Sequence, residues 1–235
     1  MRILVVGDIH GMWRYINTLI NKKSPDIILQ CGDFGWWPKF HNTRMISSGE
    51  YERITHDYGR REKKWNQYGI KNKNTKIYWC DGNHEDHWDI KDNKPGEIMP
   101  GVFYMKRGFT LKLPTGENVL FMGGADSIDK KWRTIGIDWF PEELINHSQL
   151  YDLPDEKVDI VISHTCPEEF LYGLKLIIKD KTQDPCTKAL SYILKKYRPK
   201  KWFFGHFHQF KQGKDEGVEW TCLNMAPEGG WWVEL

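Results

Sequence analysis

Five short apolar runs set the rhythm of the chain: Arg2–Val6, Asp26–Cys31, Lys76–Cys80, Val158–Ile162 and Lys201–Phe204. Each is rich in β-branched or aromatic residues and too short for a buried helix, so each predicts a buried strand. Between the first two, Met12, Tyr15, Ile16, Leu19 and Ile20 recur at helical spacing, which predicts a crossover helix over Met12–Asn21 in a first β-α-β unit. Farther along, Val102–Met105, Phe109–Leu113 and Asn118–Met122 are separated by Gly108 and by Pro114-Thr115-Gly116-Glu117, a pattern of antiparallel strands around a tight turn. Glu219–Leu223 and Trp231–Val233 extend the alternation, and these two stretches together predict a second sheet. Residues 47–69 interleave Glu50, Glu52, Arg53, Arg60, Arg61, Glu62, Lys63 and Lys64 with Tyr51, Ile54, Tyr58, Trp65 and Tyr68. That stretch reads either as an amphipathic helix with a solvated face or as a helix whose basic residues edge a groove.

Composition narrows the setting. At 235 residues, with no internal repeat and no linker-like segment, the chain is expected to form one domain, residues 1–235. A net charge of +2 advertises neither nucleic acid nor membrane as an obligatory partner. The five cysteines lie far apart and read as reduced thiols. Met1 and Arg2 lead directly into the first strand, leaving no room for a signal peptide, and every apolar run falls far short of the ~20 residues that span a bilayer. A soluble, cytoplasmic protein is expected, with oligomeric state open.

Each predicted strand is closely followed by a block that sets metal-binding side chains beside a small residue: Gly7-Asp8-Ile9-His10, Gly32-Asp33, Gly82-Asn83-His84-Glu85, Ser163-His164 and Gly205-His206-Phe207-His208. Ligands at strand ends converge only if the strands share an edge, and strand ends are where α/β folds collect ligands. Imidazole, carboxylate and amide oxygen together suit borderline divalent metals, and seven such donors are too many for one tetrahedral ion. Two ions sharing a bridging carboxylate fit the count.

In this order the blocks resemble the calcineurin-like metallophosphoesterase superfamily, whose pattern is Asp-x-His, Gly-Asp, Gly-Asn-His-Asp/Glu, His and Gly-His-x-His; the match runs from residue 7 to residue 208. The resemblance implies a four-layer α/β/β/α sandwich, with two mixed sheets flanked by helices. It implies that Asp8, His10 and His208 hold a first metal, that Asn83, His164 and His206 hold a second, and that Asp33 bridges them. It further implies hydrolysis of a phosphoester by a hydroxide shared between the ions, with His84 as general acid, a role suited to an imidazole of ordinary pKa ~6.5. Manganese is the first choice of metal, with iron, zinc or nickel as alternatives.

Departures from the pattern bear on the substrate. Ser/Thr protein phosphatases follow their second block with Asp-Arg-Gly; here the stretch reads Gly32-Asp33-Phe34-Gly35-Trp36-Trp37-Pro38. An arginine from elsewhere in the chain can substitute for it, and Arg133, in the polar loop after Gly123-Gly124, is the candidate; Lys130, Lys131 and Arg133 read equally as a phosphate clamp or as ordinary exposed charges of that loop. This loop and Ser163-His164-Thr165-Cys166-Pro167 are similar to small bacterial and phage metallophosphoesterases and, more loosely, to RNA lariat-debranching enzymes. Trp36, Trp37, Trp88, Trp132 and Trp139 fall in predicted loops near the blocks, and either pack those loops or, as with Trp36, stack on a base. The expected activity is a phosphodiesterase on nucleotide or single-stranded nucleic-acid substrates. The alternatives are a phosphomonoesterase, a protein phosphatase, or a binding module on the same scaffold.

Overall fold

The computed structural model describes residues 1–37, 70–71, 74–92, 96–175 and 184–235. The charged stretch 47–69 lies outside the described residues. Two six-stranded mixed sheets form the middle of the molecule. In the first, β1 (Ile3–Val6), β2 (Ile27–Gln30), β3 (Lys76–Trp79) and β5 (Val102–Tyr104) run parallel, flanked by antiparallel β4 (Gly96–Met99) and β12 (Trp232–Glu234). The second repeats the plan: β7 (Asn118–Met122), β8 (Ile160–Ser163), β9 (Lys201–Phe204) and β11 (Val218–Cys222) are parallel, with antiparallel β6 (Thr110–Lys112) and β10 (Lys211–Asp215) at the edges.

Strand alternation builds the layers. Ile3, Val5, Ile27 and Leu29 point inward and meet Val119, Phe121, Ile160, Ile162 and Phe203 of the other sheet. Leu4, Val6, Ile28 and Trp79 point outward beneath helix α1 (Trp13–Lys23), which contributes Trp13, Ile16, Leu19 and Ile20. On the far side Val161, Trp202, Phe204 and Trp220 pack beneath α5 (Pro185–Tyr197), which buries Ala189, Leu190, Ile193 and Leu194. Because both faces are covered, the parallel strands are apolar over most of their length, with Gln30, Lys76, Lys201 and Glu219 among the polar positions at or near their ends. The result is the expected α/β/β/α sandwich. Shorter helices α2 (His87–Asp92), α3 (Ser148–Tyr151) and α4 (Glu168–Leu171) lie in the connections. All five cysteines are free and buried.

Two sequence expectations need correcting, and one helix was not expected. Val102–Tyr104 and Trp232–Glu234 belong to the first sheet, parallel to β3 and antiparallel to β1; only the β6–β7 hairpin follows the predicted turn. A two-residue alternation reports a half-buried strand but not which sheet supplies its partner. The helix Pro185–Tyr197 is not among the predicted elements, although Asp184 caps it by accepting from Cys186 N at 2.8 Å and Pro185 occupies its first position. Trp88 sits in helix α2, not in a loop. Among the described residues, no helix is long and apolar enough to cross a membrane.

Candidate metal centre

The carboxyl ends of the two sheets meet at one end of the sandwich, and each polar block turns there. Backbone hydrogen bonds tie the turns together, with Ile9 N and His10 N donating to Asp33 O at 3.0 and 2.8 Å and Gly205 N donating to His164 O at 3.0 Å. Eight non-glycine residues among those described have positive φ, and four of them are candidate ligands: His10, Asp33, His206 and His208. This backbone region is costly for L-residues and persists where surrounding contacts over-determine it. The turns also demand glycine, since a Cβ on Gly82 would collide with Asp33 Oδ1 and one on Gly205 with Asp8 Oδ1.

Asp8, His10, Asp33 and His208 bring one ligand atom each within 4.8 Å of all the others. His208 Nε2 is 3.0 Å from Asp8 Oδ2 and 3.1 Å from His10 Nε2, and His10 Nε2 is 3.7 Å from Asp33 Oδ2. On the other side of the Asp33 carboxylate, Oδ1 is 3.3 Å from His164 Nε2, which is itself 3.0 Å from Asn83 Oδ1. Metal–ligand bonds of about 2.0–2.2 Å place neighbouring ligand atoms roughly 3.0–3.6 Å apart, and the contacts of 3.0, 3.1 and 3.3 Å here fall in that range. Asp33 turns Oδ2 toward His10 and Oδ1 toward His164. The His206 ring lies edge-on to His164 with centroids 4.9 Å apart, while its backbone N–H donates to both Asp8 oxygens at 3.0 Å. Asp8, His10, Asp33 and His208 form a donor set that fits a divalent ion, and Asn83, His164 and His206 lie beside it.

Charge is concentrated where water is scarce. Burial alone would lower the pKa of His164, but Asp33 beside it, the hydrogen bond between them and the nearby Asp8 raise it to about 10. Burial opposes the charge of Asp33 as well, yet His164, His84 and His10 hold it well below the usual carboxylate range. The hydrogen bond to Asp8 raises His208, whereas burial lowers His10.

His84 is placed by its neighbours: its backbone N–H, like that of Asn83, donates to Asp33 Oδ1, at 2.9 and 3.0 Å. Its ring meets His10 edge-on at 5.1 Å between centroids. The guanidinium of Arg133 lies against the same ring, with Nη1 3.4 Å from Nδ1 and Nη2 3.3 Å from Nε2. Burial first, then the positive neighbours His10 and Arg133, push the His84 pKa well down, against the pull of Asp33. Arg133 pairs with Asp129 at 2.8 Å and leaves its side chain 9% exposed, whereas Lys130 and Lys131 beside it are exposed. Trp36 spends its N–H on Asp89 Oδ2 at 2.7 Å and stacks on Trp13, and Trp37 is buried; Trp132, adjacent to Arg133, is 75% exposed.

Several contributors were given no role of their own in the sequence. Gln30 donates to Gly7 O and accepts from Gly32 N, both at 3.1 Å, joining the first two turns. Glu85 accepts from Gly35 N at 3.0 Å and Gly82 N at 2.6 Å, joining the second and third. Asp81 is held by Tyr104 and by Arg107, whose guanidinium also donates to the carbonyls of Glu142, Glu143 and Leu144. Buried Glu143 accepts from Ser127 and Trp139, and burial raises its pKa to about 7 despite these donors. The signal available for Asp81 and Glu85 was adjacency to the Asn83-His84 pair; Gln30, Arg107, Ser127 and Glu143 carry none.

Among curated proteins, none matches this sequence. Solved structures share the fold at low identity. A phosphopantetheinyl hydrolase from Mycobacterium tuberculosis is similar at 12% identity with a TM-score of 0.51, over 100% of this chain and 95% of that one. A candidate 5'-nucleotidase from Staphylococcus aureus is similar at 14% identity with a TM-score of 0.50, over 95% of this chain and 48% of that one. The sequence model of the calcineurin-like phosphoesterases matches residues 1–210 and so takes in every strand end that carries a candidate ligand. On that match, the chain belongs to the calcineurin-like phosphoesterase family.

Proposed function

We propose that this protein is a dinuclear metal-dependent phosphodiesterase acting on nucleotide or nucleic-acid substrates, carried by one domain spanning residues 1–235. Asp8, His10 and His208 would hold one ion, and Asn83, His164 and His206 the other. The observation that carries this reading is the split of the Asp33 carboxylate, with Oδ2 on the His10 side and Oδ1 on the His164 side. Two ions there, manganese in the first instance, would lower the pKa of a shared water and neutralise charge on a phosphoryl group.

The remaining groups divide the work around the phosphate. Arg133 takes the place of the arginine missing after Asp33, and its planar guanidinium can grip two phosphate oxygens. His84 faces the leaving-group oxygen. The protein alone keeps it neutral, and the negative charge of a phosphoester beside it raises its pKa, as Asp33 already does in part, so the proton is available with substrate bound. Exposed Trp132, next to Arg133, is better placed than Trp36 to stack on a base, an interaction worth roughly 1–3 kcal/mol. Free buried cysteines suit a reducing, cytoplasmic setting.

The test is hydrolysis of bis-p-nitrophenyl phosphate against p-nitrophenyl phosphate by metal-stripped protein, with manganese, zinc, magnesium or nothing restored. Manganese-dependent preference for the diester is expected. Preference for the monoester would replace the diesterase with a phosphatase, and bound metal without turnover of either would leave a binding module.

A further inference from the structure

A metal-ligating asparagine has a problem that histidine and aspartate lack: its amide can face the ion with oxygen or with nitrogen, and only oxygen binds. Here Asn83 Oδ1 lies 3.0 Å from His164 Nε2, and on its other side Asn83 Nδ2 is 3.1 Å from Ser127 Oγ. Ser127 Oγ in turn is 2.8 Å from Glu143 Oε2, while Ser127 N donates to Glu143 Oε1 at 2.7 Å and Trp139 Nε1 to the same oxygen at 2.9 Å. Proton accounting fixes the direction. Above its pKa of about 7 Glu143 is ionised and can only accept, so there the Ser127 hydroxyl must donate to it; the hydroxyl then presents a lone pair to Asn83, which can answer only with its NH2 group. The oxygen is thereby turned toward His164.

Glu143 is in turn anchored. Arg107 Nη2 donates to the carbonyl oxygens of Glu142 and Glu143 at 3.0 Å, Nη1 to that of Leu144 at 2.7 Å, and Nε to Asp81 Oδ2 at 2.9 Å. Asp81 stands two residues before Asn83, so the circuit closes on itself. All of Asp81, Asn83, Ser127 and Glu143 are buried, and Arg107 is 8% exposed.

We propose that Ser127 and Glu143 are positioning residues that set the amide orientation of Asn83 for the second metal ion, with the Asp81–Arg107 pair holding Glu143 in register. The proposal rests on the dinuclear reading above.

Glu143→Gln tests it. The substitution keeps shape and removes a buried charge, but the glutamine NH2 now donates to Ser127 Oγ. The hydroxyl proton is turned onto Asn83 and calls for its oxygen. A merely structural role predicts equal or higher thermal stability and unchanged metal binding. The relay predicts retained stability with second-ion affinity lower by about 10–100-fold in manganese calorimetry, and the first ion unaffected. Should Glu143→Gln fail to fold, Ser127→Ala carries the same expectation for the second ion. Wild type binding two ions, with both retained at unchanged affinity in either folded variant, overturns the relay alone. Wild type binding one ion overturns the dinuclear reading and the relay with it.

Discussion

His164 offers the sharpest test of the centre because its proton count follows from geometry. Its Nδ1 lies 2.9 Å from Cys31 O, and its Nε2 lies 3.0 Å from Asn83 Oδ1 and 3.3 Å from Asp33 Oδ1. With the Asn83 amide turned as above, all three neighbours are acceptors, so without metal both ring nitrogens must carry hydrogen and the ring is an imidazolium, in keeping with a pKa of about 10. An ion that takes Nε2 must displace that proton. At pH 7.5 the gap of about 2.5 units is worth about 3 kcal/mol, so apparent affinity for the second ion should rise nearly tenfold per pH unit toward pH 10.

The assay is manganese titration of the metal-free protein by calorimetry at pH 7.5 in buffers of different ionisation enthalpy, whose slope counts protons released. About one is expected from His164, with a further fraction from His208, whose pKa is also raised. Two ions bound with no proton released would refute the reasoning, because His164 would then be neutral already. Stability gives a second check of sign. A folded pKa raised from 6.5 to about 10 contributes stability that is complete below 6.5 and lost as pH climbs through 10. The melting temperature of the metal-free protein should therefore fall across that window, and saturating manganese should flatten the fall.

Other perturbations separate the site from its supports. Arg107→Ala strands Asp81 as a buried charge and should cost about 3–5 kcal/mol in urea unfolding; a loss below about 1 kcal/mol would show that the pair is not holding the loop. Gly205→Ala drives a methyl group against Asp8 Oδ1, so manganese stoichiometry should drop from two to one while circular dichroism still reports a folded chain. His84→Gln should keep both ions and lower the turnover of a diester with a poor leaving group by about 10²–10⁴-fold; unchanged turnover would remove the general-acid role.

The parts of this molecule that could be read from its sequence are those in which function imposes local spelling. Asp8 with His10, and His206 with His208, stand two positions apart just past a strand end, and Gly82 and Gly205 must be glycine because a carboxylate occupies the space of their Cβ. Both constraints leave marks within a few residues. Sheet membership does not. Val102–Tyr104 and Trp232–Glu234 look like any short strands, and their partners, β3 and β1, are chosen by long-range closure of the layers. The helix Pro185–Tyr197 was legible in principle, with a capping Asp184, Pro185 and apolar positions at helical spacing.

The least legible residues are those that act by direction rather than by ligation. Ser127, Glu143 and Arg107 sit 44, 60 and 24 positions from Asn83, in segments with no shared pattern, and each is an ordinary residue until the chain is folded. Their arrangement explains a feature that stability alone does not. An ion pair as deeply buried as Asp81–Arg107 is a poor investment beside apolar residues of similar volume. It becomes intelligible if its task is to hold the Glu142–Leu144 carbonyls, and through Glu143 the Asn83 amide, in one orientation. Replacing Asp81 and Arg107 together by well-packed apolar residues is then expected to preserve or raise thermal stability while weakening the second ion. The opposite pairing, lost stability with intact metal affinity, would return the ion pair to a purely structural role.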